Sequence, residues 1–315
     1  MKTKVVPLFL STVVLILLVT YPDVYLQASL DGITIFAINV LPALLPFFFF
    51  TKILSNYGAN VIIGRKLGKV TRALYNVNQS SAYVFIMSIL SGYPIGAKLL
   101  HDLYQNHQID HEDLKSSIAF CSTSGPMFIL GTVGGVMLKN TTYGFILLIC
   151  HYLSAILNGF IYRKRRKSKE KNFYYTVTSQ NVLSDSITDS ISSVLTCGAY
   201  IAIFYMIAIM LKNTGVLSLL SNCVNYLIKN QSLSYGLVFS LVEITGGCAV
   251  LSNTNTFLTL PIICAVISFG GLSVTLQSLN FLCKCNIKPI RYVIVKLTQS
   301  IIAFLITCFV VGVFL

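Results

Sequence analysis

Residues 91–98, Ser-Gly-Tyr-Pro-Ile-Gly-Ala-Lys, interrupt an otherwise apolar stretch at 81–105. Gly92, Pro94 and Gly96 cannot continue a helix between them, because proline lacks the N–H and glycine loses the most conformational freedom on ordering. A break at membrane depth frees backbone N–H and C=O groups, which is tolerable only against protein or a water-filled cavity. A helix restarting at Gly96 would aim its first N–H groups at that cavity, an arrangement that favours anions. Lys98, one turn inside, adds a full positive charge. Ser91, Gly92, Tyr93, Pro94, Gly96 and Lys98 are therefore candidate ligands of a small anionic solute.

Three further interruptions have the same character. Ser122-Thr-Ser-Gly-Pro126 breaks the apolar segment 114–138, where Thr123 and Ser124 offer hydroxyls and Gly125 lets backbone approach a ligand. Glu243 is the one acidic residue of the apolar segment 235–255, and it adjoins Thr245, Gly246 and Gly247. An ionisable group at depth is costly and so marks a functional candidate, here for a proton or cation, or for pairing with Lys98. Gly270 and Gly271 break the stretch 257–282, and Ser273 and Gln277 follow on one helical face. They suit hydrogen bonds to a carboxylate or ring nitrogen. Each break also has a plainer reading as a proline kink, a structural ion pair or small-residue packing between helices.

Other polar residues carry less. Lys296 lies just past Arg291 and is expected to snorkel to the headgroups, and His151 to bond to a neighbour. The run His107–Asp113 holds two His and three acids, and it reads as a solvated loop and helix start rather than a metal site. The nine cysteines include no CxxC pair and read as small buried hydrophobes. No GxxxxGK[ST], GxSxG or HExxH pattern occurs, so neither an ATPase nor an intramembrane hydrolase is expected, and no cofactor or metal is implied.

The elements that hold these residues are transmembrane helices. Only 10% of the 315 residues are charged, against about 25% in an average soluble domain, and 55% are hydrophobic. Mean hydropathy is +0.77. This excludes a soluble enzyme or a nucleic-acid binder. The net charge of +13 gathers in loops and reports orientation instead. The spacing predicts an all-α polytopic membrane protein with spans near 5–20, 31–54, 114–138, 143–162, 187–211, 257–282 and 291–315, about seven crossings. Residues 5–20 read as an uncleaved helix rather than a signal peptide, and 57–75 as a basic interfacial helix carrying Arg65, Lys66, Lys69 and Arg72.

Charge then fixes the topology. The basic runs 52–72, 163–171 and 284–291 all belong on the cytoplasmic side. Three apolar segments lie between the first two runs, and three more between the last two. In each set one segment must enter and leave on the same side. The expected re-entrant hairpins are 81–105, with Ser91–Gly96 at its tip, and 235–255, with Thr245–Gly247 at its tip. The chain divides into an N-terminal helix (1–30), a first half (31–162), a basic cytoplasmic linker (163–186) and a second half (187–315) in inverted topology. Such repeats, with broken helices meeting near the midplane, are the architecture of secondary transporters. Anionic lipid headgroups are the expected partner of 163–171.

The motifs LPALLPFF (41–48), SGYPIGAK (91–98), SGPMFILG (124–131), HYLSAIL (151–157), VEITGG (242–247) and SFGGLSV (268–274) resemble the sporulation integral membrane proteins of the YlbJ type, within the nucleoside-recognition (Gate) superfamily. The resemblance runs from about 31 to 300. It implies a multi-pass protein of the bacterial cell membrane or of the membranes around the forespore. It also implies a role in moving dipicolinate, a small aromatic dicarboxylate, toward the forespore. The superfamily resembles concentrative nucleoside transporters, whose substrate lies between two hairpin tips and two unwound helices. The chain lacks their Gln-Thr-Glu hairpin signature, which argues against a nucleoside substrate. A nucleoside-type carrier and a non-transporting scaffold for spore assembly remain the other readings.

Overall fold

The computed structural model describes residues 2–165 and 181–314, so most of the basic run 163–171 and of the linker 163–186 lies outside the described residues. Among the described residues there are helices and turns but no strand. Helix α1 (Lys2–Thr20) meets α2 (Pro22–Ile35) at a bend of 110°, where Pro22 opens a new helix without needing an N–H partner. The helix expected from residue 31 therefore starts nine residues earlier, at Pro22. It runs through a π-helical turn (Phe36–Val40) into α3 (Leu41–Asn56). The turn sits just before Pro42, whose missing N–H shifts the hydrogen-bond register.

Gly58 at φ 77° leads into α4 (Ala59–Tyr75), the predicted basic helix, with Arg65, Lys66 and Lys69 exposed. Then come α5 (Ser81–Ser91), α6 (Ile95–Gln105) and the short α7 (His111–Ser117), followed by turns to residue 126 and a π-helical segment, Met127–Met137. Helix α8 (Thr141–Ile161) is capped by Asn140. The second half comprises α9 (Val182–Asn213), α10 (Val216–Ile228), α11 (Gln231–Val242), α12 (Ile244–Ser252), α13 (Thr259–Phe269), α14 (Gly271–Leu282), a 3-10 turn at Cys283–Cys285 and α15 (Pro289–Phe314).

Among the described residues four helical stretches are long and apolar enough to cross a bilayer: Thr141–Ile161, Val182–Asn213, Thr259–Cys285 (α13 and α14 taken together) and Pro289–Phe314. The count becomes five if the bent α1–α2 pair is one span. The sequence predicts about seven, because it sums apolar residues across breaks. At 114–138 the break leaves α7 and an eleven-residue π-helical segment, each shorter than the roughly 20 residues a crossing needs.

The helices are inverted relative to a soluble core. Along α15, Ile290, Ile294, Leu297, Ile301, Leu305 and Phe309 are exposed, while Lys296, Gln299, Ala303 and Thr307 are buried. Apolar-out and polar-in is the pattern of a helix solvated by lipid on one face. Pairs of elements then set the frame. The 22–56 helix and α9 lie antiparallel, with Gly32 against Ala202, Phe36 against Gly198, and Asn56 bonded to Ser186 at 3.3 Å. Helices α11 and α12 also lie antiparallel, with Gly236 against Leu251 and Ser240 against Gly247. Helix α6 turns back so that Gly96 packs beside Ser88 of α5.

The acids of the 107–113 run cap α7 in a reciprocal box between Asp110 and Asp113. Lys164 reaches both, at 2.8 Å from Asp110 and 3.0 Å from Asp113. Burial opposes the Lys164 charge, but its hydrogen bonds to the two carboxylates hold its pKa above the usual lysine value. Burial likewise opposes the Asp110 charge, while Lys164 and the Asp113 N–H hold its carboxyl below the usual range.

Candidate functional site

The four interruptions read from the sequence meet in space. At the first, α5 ends at Ser91, Gly92 takes φ 79°, the Tyr93–Pro94 peptide is cis, and α6 begins at Ile95. A Cβ on Gly92 would overlap the Gly125 N–H, so only glycine lets this tip touch the second break. At the third, the chain passes from α11 to α12 through Glu243 alone. At the fourth, Gly270 (φ 89°) and Gly271 (φ 65°) separate α13 from α14, and Gly271 lies against the Ser240 carbonyl of α11.

A cavity of about 90 Å³ lies among these breaks. Ser91, Gly92, Tyr93, Ser124, Gly125, Glu243, Thr245, Ser273 and Gln277 line it, so all four interruptions contribute. The rest of its wall is mostly apolar, including Leu44, Phe47, Met127, Phe128 and Ile201. A second cavity of about 350 Å³ shares Cys197 and Gln277 with the first. It holds Pro94 and Lys98 together with Lys52, Asp102 and Asp189.

Other predicted residues sit behind the wall. Gly96 is pressed against the Cys121 carbonyl. Thr123, fully buried, donates its hydroxyl to Ser88 at 3.2 Å. The Gly246 N–H is taken by Glu243, and Gly270 and Gly271 act as packing and turn positions.

Glu243 and Lys98 do not pair. The Glu243 carboxylate turns back onto its own helix, accepting from Thr245 N at 2.9 Å and Gly246 N at 2.6 Å. It is the N-cap of α12 and places a negative charge at that helix's positive end. Lys98 donates instead to Ser193 at 2.7 Å, one side of the second cavity, beside a Lys52–Asp189 ion pair of 2.6 Å.

Two residues without a predicted ligand role hold the breaks together. Lys296 has no exposed surface and donates to the Ser122 carbonyl and the Tyr93 hydroxyl, both at 2.7 Å, and to Gln299 Oε1 at 2.6 Å. It does not snorkel: its face of α15 points inward, toward the first tip and the second break. His151 bonds to neighbours as expected, but the neighbours are two breaks. Its Nε2 accepts from Ser124 N at 2.9 Å, which leaves the ring proton on Nδ1 to meet Ser268 Oγ at 2.7 Å. The signal for Lys296 was its phase: it shares a helical face with Gln299 and Ala303, opposite Ile294, Leu297 and Ile301.

A multi-pass helical membrane protein with interrupted helices converging on an internal cavity is thus defined. Residues 37–143 match the Gate family, described as nucleoside recognition. The chain is also 26% identical over 325 aligned positions to the sporulation integral membrane protein YlbJ of Bacillus subtilis (strain 168), covering 94% of this chain and 79% of that protein. The resemblance carried by the motifs therefore extends over nearly the whole length.

Proposed function

We propose that this chain is a membrane carrier for a small organic anion, dipicolinate, acting in sporulation by alternating access around the central cavity. The observation that carries the reading is the convergence of four helix interruptions on one cavity. Interrupted helices at membrane depth need a protein-lined or wet space, and secondary transporters place their substrate in such a space. The 81–105 and 235–255 segments serve as re-entrant hairpins, and the halves 31–162 and 187–315 as inverted repeats. In support, α4 and α10 each follow a glycine of positive φ, Gly58 and Gly215, and each ends at a residue of positive φ, Asn76 and Lys229. The solute's ring packs on the apolar wall, and its polar edge meets Tyr93, Ser124, Ser273 and Gln277. The second cavity, with Lys98 and Lys52, is the cytoplasmic approach. Sporulation and dipicolinate come from the likeness to the YlbJ type.

Uptake of labelled dipicolinate by proteoliposomes containing the purified chain tests the reading. Saturable uptake above that of protein-free vesicles is expected. Its absence defeats the carrier reading and favours a scaffold. The Gate match favours a second reading, a nucleoside carrier, and inhibition of uptake by uridine, or uptake of uridine itself, would support that one instead.

A further inference from the structure

The three groups around Lys296 Nζ are all uncharged oxygens, and they come from three elements: the second break, the first tip and α15 itself. Among the described residues no carboxylate lies within 4.0 Å of it. An ammonium taken out of water without a counter-ion is strongly disfavoured unless its donors are fully satisfied, and here all three are. The separations of 2.6–2.7 Å are those of charge-assisted hydrogen bonds.

The neighbours all turn oxygens toward Lys296 Nζ. Gln299 turns Oε1 to the ammonium and leaves its own Nε2 buried without a partner. The Tyr93 hydroxyl accepts from Lys296 and directs its proton toward the carbonyls of Ile267 and Ser268, at 3.4 and 3.2 Å. Lys296 Nζ therefore joins the first tip to the second break directly, and through the Tyr93 hydroxyl to the end of α13. A carbonyl freed by unwinding, an amide oxygen and a hydroxyl form the kind of shell that a hard monovalent cation takes in a broken-helix carrier.

We propose that the Lys296 ammonium is a tethered cation filling a monovalent-cation position between the first tip and the second break, so that the protein binds neither sodium nor potassium there. The tether keeps the charge in place through every cycle, and the cation is not itself carried across. This deepens the carrier reading by naming the cation of the same site. Its test reads stability rather than uptake, so the two can fail separately.

The full chain, purified in detergent, is melted in sodium, potassium and choline chloride at equal ionic strength. The wild type is expected to melt at one temperature in all three. Lys296→Ala removes the ammonium and leaves its oxygen shell. It is expected to melt lowest in choline and to gain roughly 2–4 °C in sodium chloride or in n-propylammonium chloride, whose cation matches the missing side-chain end. Recovery of folded Lys296→Ala only from sodium or propylammonium buffers also supports the proposal. A wild type stabilised saturably by sodium overturns it, as does a folded Lys296→Ala indifferent to all four salts. A Lys296→Met protein as stable as the wild type in choline overturns it too, since no charge would then be needed.

Discussion

At the first tip and the break beside it, the charge is a cation delivered from a distant helix: Lys296 of α15 bonds Tyr93 and the Ser122 carbonyl. At the second tip it is an anion delivered by the break residue itself, with Glu243 closing on the N–H groups of Thr245 and Gly246. A broken helix exposes carbonyls on one side and N–H groups on the other, so it offers sites of opposite sign. Which sign is used depends on what the surrounding helices supply. The positive end of α12 is already occupied by the chain's own carboxylate.

The comparison is broken most severely through the glycines that let each tip close. In Gly96→Ala the new methyl meets the Cys121 backbone carbonyl, which cannot move without disturbing the second break. We expect a loss of about 3 kcal/mol or more, read as failure to recover monodisperse protein. Gly131→Ala has open space around it and should melt like the wild type. If Gly96→Ala were equally benign, the first tip would not be packed as described.

Next is the cap at the second tip. Glu243→Ala leaves two N–H groups without their acceptor and should cost about 1–2 kcal/mol in denaturant or thermal unfolding, beyond any effect on uptake. Glu243→Asp keeps a good capping group and should recover most of that stability. Equal losses in both would point away from capping.

Lys98 sharpens the contrast from the other cavity. Its ammonium donates to the Ser193 hydroxyl, and Lys98→Ala should leave folding unchanged. It should raise the apparent KM for dipicolinate uptake about five-fold, the effect of roughly 1 kcal/mol of charge attraction, with little change in maximal rate. An unchanged KM would remove Lys98 from the solute's path.

The smallest effect is expected outside the membrane. The depressed Asp110 pKa contributes stability above about pH 4 that fades as pH falls through the folded value, whereas the raised Lys164 pKa contributes below about pH 10. Lys164→Ala should therefore lower stability at pH 7 by up to about 1 kcal/mol, and the gap to wild type should narrow at pH 3. A gap that persists at pH 3 would mean packing rather than charge.

Three of the four breaks, the polar residues on them and the basic helix α4 were legible in the sequence, because proline, glycine and charge are rare and costly inside apolar helices. The remaining one, expected at Thr245–Gly247, falls at Glu243, whose side chain caps α12 and keeps Thr245–Gly247 helical. So was the membrane itself, from 10% charged residues and long apolar runs. Less was legible of α1 and α2, where a single proline after Tyr21 bends two helices by 110° and moves the start of the next element to Pro22. Opposite charge and matching places in the two halves suggest a partnership of Lys98 with Glu243 that the structure does not form. The fold gives each a nearer partner, Ser193 and the α12 backbone.

By itself, then, the sequence determined where the chain must stop being helical and which side of each helix resists lipid, since both are local costs carried by single residues. Only the tertiary structure decided which breaks touch and which charge serves which break. Lys296 and Ser122 are 174 positions apart, and His151 and Ser268 are 117 apart. No local pattern records such a meeting, which follows from how the helices on either side pack against one another.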